Sequence, residues 1–246
     1  MRTPRIYTNQ PLTAETEIEL EAEAARHLLQ VLRLRIGNEL TLFNGSGHDY
    51  AAVLVESGKK HCRVEVRHQG EKEAAQPLDI ELAIGISKGD RMDFALQKAV
   101  ELGVSHFTLL TTERSVVRLS PERLQKRLDH WRKIIIGACE QSGRRYIPEI
   151  SSHEQLHSWL QATSDNLFGL VLDHRAESSL RSLQPPGDGQ KISLLVGPEG
   201  GLTTAEVNAA AAAGHQRIRL GPRVLRTETA PLAATAAIQT LWGDYC

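Results

Sequence analysis

The sequence predicts a chain of two parts: a small β-rich module over residues 1–72, then an α/β domain over residues 73–246 built on a parallel sheet. Three observations predict it. Apolar residues alternate in short runs through residue 67, around a glycine-containing turn. From residue 78 onward, short apolar runs are separated by helical patterns. Near the end come two strand-loop-helix units in succession, with loops Gly197-Pro198-Glu199-Gly200-Gly201 and Leu220-Gly221-Pro222-Arg223-Val224-Leu225-Arg226-Thr227-Glu228-Thr229. Strands separated by helices imply a parallel sheet covered on both faces, and such sheets bind ligands beyond the carboxyl ends of their strands.

In the first part, residues 16–20 alternate as a strand. A helix is expected over 23–34, with Leu28, Leu29, Val31, Leu32 and Leu34 apolar and Arg26, His27, Arg33 and Arg35 polar. Strands 39–43 and 50–56 flank Asn44-Gly45-Ser46-Gly47, a hairpin signal. Residues 61–67 alternate again, and the polar stretch 69–77 reads as a linker. Together these describe a small barrel-like module.

In the second part, strand 80–86 meets the polar turn Ser87-Lys88-Gly89-Asp90, and the helix after it ends near Leu102 at Gly103. Strand 106–110 follows, and Ser120-Pro121-Glu122 opens a long helix to about Gln141. Strand 147–150, helix 153–160 and strand 167–172 come next, then the buried-type run 192–196. Thr203 and Glu206 make a capping box, so a helix begins directly after the glycines. Thr229 is placed to cap the last helix, with Pro231 in its first turn and its end near Leu241. Free N–H groups at two such helix starts suit a ligand with carboxylate, ribose and purine acceptors. Taken alone, the first loop could equally be a tight turn.

A chain of 246 residues suits two modest domains or one large one. Hydrophobic residues make up 41% but aromatic residues only 4%, so the cores must be aliphatic. No apolar stretch reaches about 18 residues, so no membrane span is expected. The N-terminus leads into no apolar signal segment. Cys62, Cys139 and Cys246 are far apart and the ten histidines lack paired spacing, which fits reduced thiols in the cytoplasm and no metal. Net charge is −1, yet its distribution is uneven. Residues 88–145 hold twelve basic and seven acidic side chains, whereas residues 1–72 hold ten of each and 146–246 hold seven and ten. A basic middle on a neutral chain is the footprint of a phosphate-binding surface, although any single charge there also reads as a solvated helix face.

Several chemistries are disfavoured. No Gly-Lys-Ser/Thr occurs, so a P-loop is not expected, and no G-x-G-x-x-G follows a strand. Neither G-x-S-x-G nor H-E-x-x-H appears, so a hydrolase built on Asp173 and His174 would lack a positioned nucleophile. What remains is a set of basic turns and helix ends. Lys88 lies at a strand-to-helix junction, Arg114 and Arg118 follow a strand end, and Arg144 and Arg145 close the long helix. Charge complementarity with the helix dipole is the alternative role for Arg144 and Arg145.

Eight blocks carry a resemblance over nearly the whole chain. They are Arg5-Ile6-Tyr7, His27 through Arg33, Lys88-Gly89-Asp90-Arg91-Met92-Asp93, Lys98 through Val104, Glu113 through Val117, Glu140-Gln141-Ser142-Gly143-Arg144, the first glycine loop, and Leu225-Arg226-Thr227-Glu228-Thr229-Ala230. In this order they resemble the RsmE-type 16S rRNA (uracil-N3) methyltransferases of the SPOUT superfamily. The resemblance implies a C-terminal domain with a deep trefoil knot, otherwise rare, and an N-terminal PUA-like RNA-binding β-barrel. It also implies a homodimer, S-adenosylmethionine bound in the knot, and 16S rRNA of the small ribosomal subunit as substrate.

On that basis Leu172, Gly197, Glu199, Gly200, Leu220 and Leu225 are expected to bind the cofactor, the glycines because they let backbone approach the ligand. RNA phosphates are expected at Arg5, Arg33, Lys88, Arg114, Arg118, Arg144 and Arg145. Arg226 and Glu228 are the expected catalytic pair, Arg226 polarising a uracil carbonyl and Glu228 accepting a proton or orienting Arg226. The alternative is structural, with Glu228 capping the following helix and Arg226 paired to it. Three other functions fit less well: a ribose 2′-O-methyltransferase with the same fold, an RNA-binding assembly factor without activity, and a nucleotide-binding oxidoreductase lacking its fingerprint.

Overall fold

The computed structural model describes residues 3–59, 61–115, 120–153, 155–162 and 166–245. The chain forms two compact units, one of Met1–Ala75 with Cys139–Ile147, the other of Gln76–Ala138 with Pro148–Cys246.

The first unit holds β1 (Arg5–Tyr7), β2 (Thr16–Glu19), α1 (Ala22–Arg26), β3 (Glu39–Phe43), β4 (His48–Ser57) and β5 (Cys62–Lys72). Its sheet has the order β1-β3-β4-β5-β2, with only β1 and β3 parallel. Side chains draw the two edges together. Thr8, just past β1, donates to the Glu21 carboxylate just past β2 at 2.9 Å, and Gln10 Nε2 donates to the Glu19 carbonyl at 2.7 Å. Leu40, Leu42, Leu54, Val64 and Val66 alternate inward onto Leu28 and Ala25.

Two expectations here are corrected. The helix expected over 23–34 is α-helical only to Arg26, then widens into a π-turn, His27–Val31, whose Leu32 N–H bonds the His27 carbonyl at 3.0 Å. Arg33, at φ 57, turns the chain out of it. The apolar stripe misleads because Val31 and Leu32 face solvent, 65% and 40% exposed. The expected linker loses residues 69–72 to β5, which runs that far because β4 starts early enough to pair His48 with Lys72 through bulges. β1 is too short for alternation to reveal it.

Arg5 and Arg145, expected at RNA phosphates, are both engaged within the first unit. Arg5 bonds Asp49 Oδ1 and the Cys139 carbonyl, both at 2.6 Å, lies over the Phe43 ring at 4.5 Å, and its side chain is 8% exposed. Arg145 takes the other Asp49 oxygen at 3.1 Å and the Glu71 carbonyl at 2.6 Å. Asp49 thus binds two guanidinium groups, an arrangement that fixes residues 139–147 onto the sheet. Burial pushes the Cys62 and Cys139 thiols up to about 11 and about 12, so both stay protonated and unreactive.

The second unit holds β6 (Asp79–Gly85), α2 (Asp90–Glu101), β7 (His106–Leu110), α3 (Pro121–Ser142), β8 (Glu149–His153), α4 (Leu156–Ala162), β9 (Leu167–Leu172), β10 (Lys191–Val196), α5 (Thr204–Ala212), β11 (Gln216–Ile218) and α6 (Thr229–Trp242). All six strands are parallel, in the order β11-β9-β10-β6-β7-β8. Strand order reverses where β10 meets β6, and a crevice opens at such a point beyond the carboxyl ends. One sheet face sends Ala83, Leu110, Val171 and Leu195 onto Leu156 and Trp159 of α4 and Val207 and Ala210 of α5. The alternate residues Leu82, Ile84, Leu109 and Leu194 are also buried, on the face that carries α6, which packs against α2. Both faces are covered, as a parallel sheet requires.

Pairing with β7 carries β8 to His153, so α4 starts at Leu156 where a helix from 153 was expected. The Thr203 capping box forms as expected, its hydroxyl accepting from Glu206 N–H at 3.2 Å and its N–H donating to Glu206 at 2.7 Å. Thr229 is not a cap: it is the first helical residue, and Glu228 before it makes no side-chain capping bond.

His215 is 2% exposed, its ring 5.4 Å from that of Trp159 and so close over Gly169 that a Cβ there would lie 2.8 Å from its Cγ. Burial pushes its imidazole below the ordinary value. Below about pH 6.5 the unfolded chain therefore binds a proton that the folded chain does not, and stability falls as pH drops. His215→Phe is expected to flatten that loss, read from urea midpoints between about pH 7 and 5.

Candidate functional site

Loops leaving β9, β10 and β11 enclose a cavity of about 620 Å³, with the ends of β6 and β7 alongside. The loop after β10 doubles back at once: its Gly201 N–H bonds the Pro198 carbonyl at 2.8 Å. A Cβ on Gly197 would lie 2.7 Å from the Leu202 nitrogen, and one on Gly85 of the neighbouring strand 2.5 Å from Pro198 Cδ. Only glycine permits either approach. Thr227 ties the last loop to the first by donating to the Gly197 carbonyl at 3.1 Å, with Ser87 Oγ 3.3 Å from Thr227 Oγ1.

The cavity has two kinds of wall. Leu172, Val196, Ile218, Leu220 and Leu225 make it apolar where β9, β10 and β11 end. Arg91 and Arg114 line it on the side of β6 and β7, and Arg223 and Arg226 on the last loop. Glu199 accepts from the Lys88 N–H at 2.8 Å through Oε1, which also lies 3.7 Å from Arg91. Its Oε2 is buried without a hydrogen-bond partner, and so is Glu228 Oε2. Among the described residues Glu228 forms no ion pair with Arg226 and caps no helix, so the structural alternative for this pair is not what the side chains do.

Asp173, the first residue past β9, lines the cavity but is 4% exposed and fully engaged. Its Oδ1 accepts from the Arg175 N–H at 3.0 Å and Arg175 Nε at 3.2 Å, and its Oδ2 from Arg217 at 2.8 Å. Arg175 reaches on to Thr204 Oγ1 at 3.2 Å. One carboxylate thereby joins the β9 loop to β11 and to the start of α5. Burial alone would push its pKa up, but the bonds from Arg175 and Arg217 outweigh burial and hold it below the usual carboxylate range.

Leu172, Gly197, Glu199, Gly200, Leu220, Leu225, Arg226 and Glu228 thus line one cavity, joined by Arg114. Lys88 is exposed and touches the loop only through its backbone. Arg33 is exposed on the first unit, and Arg144 is half-buried there, its carbonyl taken by Arg5. Arg118 lies outside the described residues. Sequence reasoning missed Asp173 as a clamp, and Arg91 and Arg223 as lining. Position immediately after a strand was the available signal for Asp173. Among the described residues no cluster of His, Cys, Asp and Glu is arranged for a metal, and no helix is long and apolar enough to cross a membrane.

A parallel sheet with a partly apolar, partly cationic cavity beyond its strand ends is the arrangement of an α/β small-molecule site. The model of an RNA methyltransferase domain matches residues 74–239, and that of an RNA methyltransferase PUA domain matches residues 20–67. Ribosomal RNA small subunit methyltransferase E of Buchnera aphidicola subsp. Schizaphis graminum is 33% identical over 99% of this chain and 98% of its own. The Bacillus subtilis protein of the same name is 30% identical over 94% and 93%. The structure of that methyltransferase from Neisseria gonorrhoeae, bound to S-adenosyl methionine, is 40% identical with a TM-score of 0.90 over the whole of both chains. A Legionella pneumophila structure in complex with the cofactor SAM is 39% identical, TM-score 0.93, over 99% of this chain and 100% of its own. The chain belongs to this RNA methyltransferase family, alongside the ribosomal RNA small subunit methyltransferases E.

The arginines that bond Asp173 are themselves 47% and 42% exposed, so removing its charge leaves no buried unpaired ion, and loss of such charged hydrogen bonds costs about 1.5–3 kcal/mol. Asp173→Asn is expected to lower stability by an amount of that order, measured by urea unfolding at neutral pH. Because the folded pKa is depressed, the difference from the parent should shrink as pH falls through that value.

Proposed function

We propose that the protein transfers a methyl group from S-adenosylmethionine to N3 of a specific uridine in 16S rRNA of the small ribosomal subunit. The observation that carries the reading is the conjunction, in one cavity, of an apolar wall, a glycine loop and the partnerless carboxylate oxygen of Glu228 beside Arg226. Family membership, with relatives solved with this cofactor, supports it.

The residues fit the cofactor. A cavity of about 620 Å³ is within the range of small-molecule sites. Leu172, Ile218, Leu220 and Leu225 offer an adenine its flat apolar walls, and the glycine loop offers backbone groups. Glu199 Oε2 waits for a donor. When bound, the cofactor supplies the methyl group as an electrophile on its sulfonium.

The chain's own residues deal with the uracil. A neutral imide nitrogen has no free lone pair, so N3 must lose its proton before or as the C–N bond forms. Glu228 Oε2 accepts that proton, a carboxylate acting as general base. Arg226 donates to a uracil carbonyl oxygen, where negative charge gathers as the proton leaves. With its proton on Glu228 and its carbonyl charge held by Arg226, N3 would be the nucleophile for the methyl group that the bound cofactor would supply.

The resemblance further supports a trefoil knot formed by the C-terminal loops, and a homodimer in the cytoplasm. It also supports an RNA-binding role for the N-terminal module over 1–72, with methyl transfer assigned to 73–246. Light scattering of the purified chain reads the dimer directly.

Small ribosomal subunits lacking the modification, incubated with labelled S-adenosylmethionine and digested to nucleosides, should yield 3-methyluridine. A 2′-O-methylated nucleoside would keep the fold and overturn the chemistry. Glu228→Gln should lower kcat by about 10²–10⁴-fold and Arg226→Ala by about 10²–10³-fold. Either variant retaining full turnover removes that residue from the mechanism.

A further inference from the structure

Resting on that reading, we infer that Arg91 and Arg114 are the phosphate contacts that position the strand on either side of the target uridine. Both line the cavity, Arg91 from the first turn of α2 after β6 and Arg114 from the loop after β7, on the side away from the apolar wall suited to the adenine. A wholly apolar ligand face needs neither guanidinium.

The glycine loop holds Arg114 by a hydrogen bond and Arg91 by an ion pair. Arg114 donates through one terminal nitrogen to the Gly200 carbonyl at 3.0 Å, and Gly200 must be glycine for the approach, since a Cβ there would lie 2.9 Å from Arg114 Cβ. Arg91 places one terminal nitrogen 3.7 Å from Glu199, and its side chain is 49% exposed. A guanidinium has five donors in a planar fork, so the one bond to Gly200 leaves Arg114 with donors to spare, as the ion pair leaves Arg91. That arrangement suits phosphodiester oxygens at the cavity rim, with the base between them turned into the cavity.

The assignment also accounts for the wide use of arginine at this rim. A methylated base must leave its stack to reach a recessed site, and phosphate contacts flanking it hold the backbone in that bent course. Glu199 and Gly200 would then face the cofactor cavity and brace the two arginines at the same time.

The anion could instead be the carboxylate of S-adenosylmethionine, and one experiment separates the two. Unmodified 16S rRNA within small subunits is titrated against wild type, Arg91→Ala, Arg114→Ala and the corresponding Lys variants. Transfer rates are measured at several salt concentrations, and S-adenosylmethionine binding to the free enzyme by calorimetry. The expected result is a KM for the subunit raised about tenfold in each Ala variant, with kcat and cofactor affinity held. The slope of log affinity on log salt should flatten by about one per arginine. Lys, which keeps the charge but not the fork, should restore part of the affinity. Lost cofactor affinity with an unchanged subunit KM would assign the arginines to the cofactor and overturn the inference, as would no change in either. Wild type that transfers no methyl group would defeat the underlying function instead.

Discussion

The turn after β10 has no room for a side chain. Gly197 faces the Leu202 nitrogen across a gap that one carbon would close to 2.7 Å, and this tight return lets α5 start immediately behind the loop. The rest of the site is arranged around that return. Pro198 presses on Gly85 of the adjacent strand, Gly200 receives Arg114, and the Gly197 carbonyl receives Thr227 from the final loop. A wider turn would separate the loops of β10 and β11, and the cavity between them would lose two walls at once.

Three acidic side chains around the cavity play distinct parts because their hydrogen bonds differ. Asp173 is saturated by Arg175 and Arg217 and serves as a fastening. Glu199 is half engaged, one oxygen on the Lys88 backbone and the other buried without a partner. Glu228 presents a buried oxygen with no partner. Buried polar atoms are ordinarily hydrogen-bonded, so an open acceptor in a cavity marks where a ligand brings the donor. Asp173 is thus the saturated carboxylate of the three, and Glu199 and Glu228 each keep one buried oxygen that the protein does not bond.

Much of this was legible in the sequence because the carriers were local. Thr203 with Glu206 fixes a helix start within four residues, and the glycine loop announces its own turn. The alternating β-and-helix order gave the parallel sheet, and the blocks around Leu225 to Ala230 gave the family. What stayed hidden depended on distant partners. Nothing local tells that Arg5 will meet Asp49, or that Arg145 will take the other oxygen of the same carboxylate, so both were read only as RNA phosphate contacts, with the helix dipole as the alternative for Arg145. The helix beginning at Ala22 was overextended because periodicity registers apolar residues without saying whether a core lies opposite Val31. Asp173 was noticed only as a possible hydrolytic group, since Arg217, which completes its bonding beside the nearby Arg175, lies far along the chain.

The grip of Asp49 on Arg5 and Arg145 has a consequence for how the protein is made. Its first compact unit includes Cys139–Ile147, so that unit is not complete when residue 75 has been synthesised. A ribosome must add the next two strands of the other unit and the long helix before the closing segment arrives. Until then Asp49 has Arg5 but not Arg145 to bind, and Arg5 lacks the Cys139 carbonyl. Maturation of the amino-terminal unit is thus timed by translation of the middle of the chain, and a fragment ending at the apparent linker would lack its own last piece.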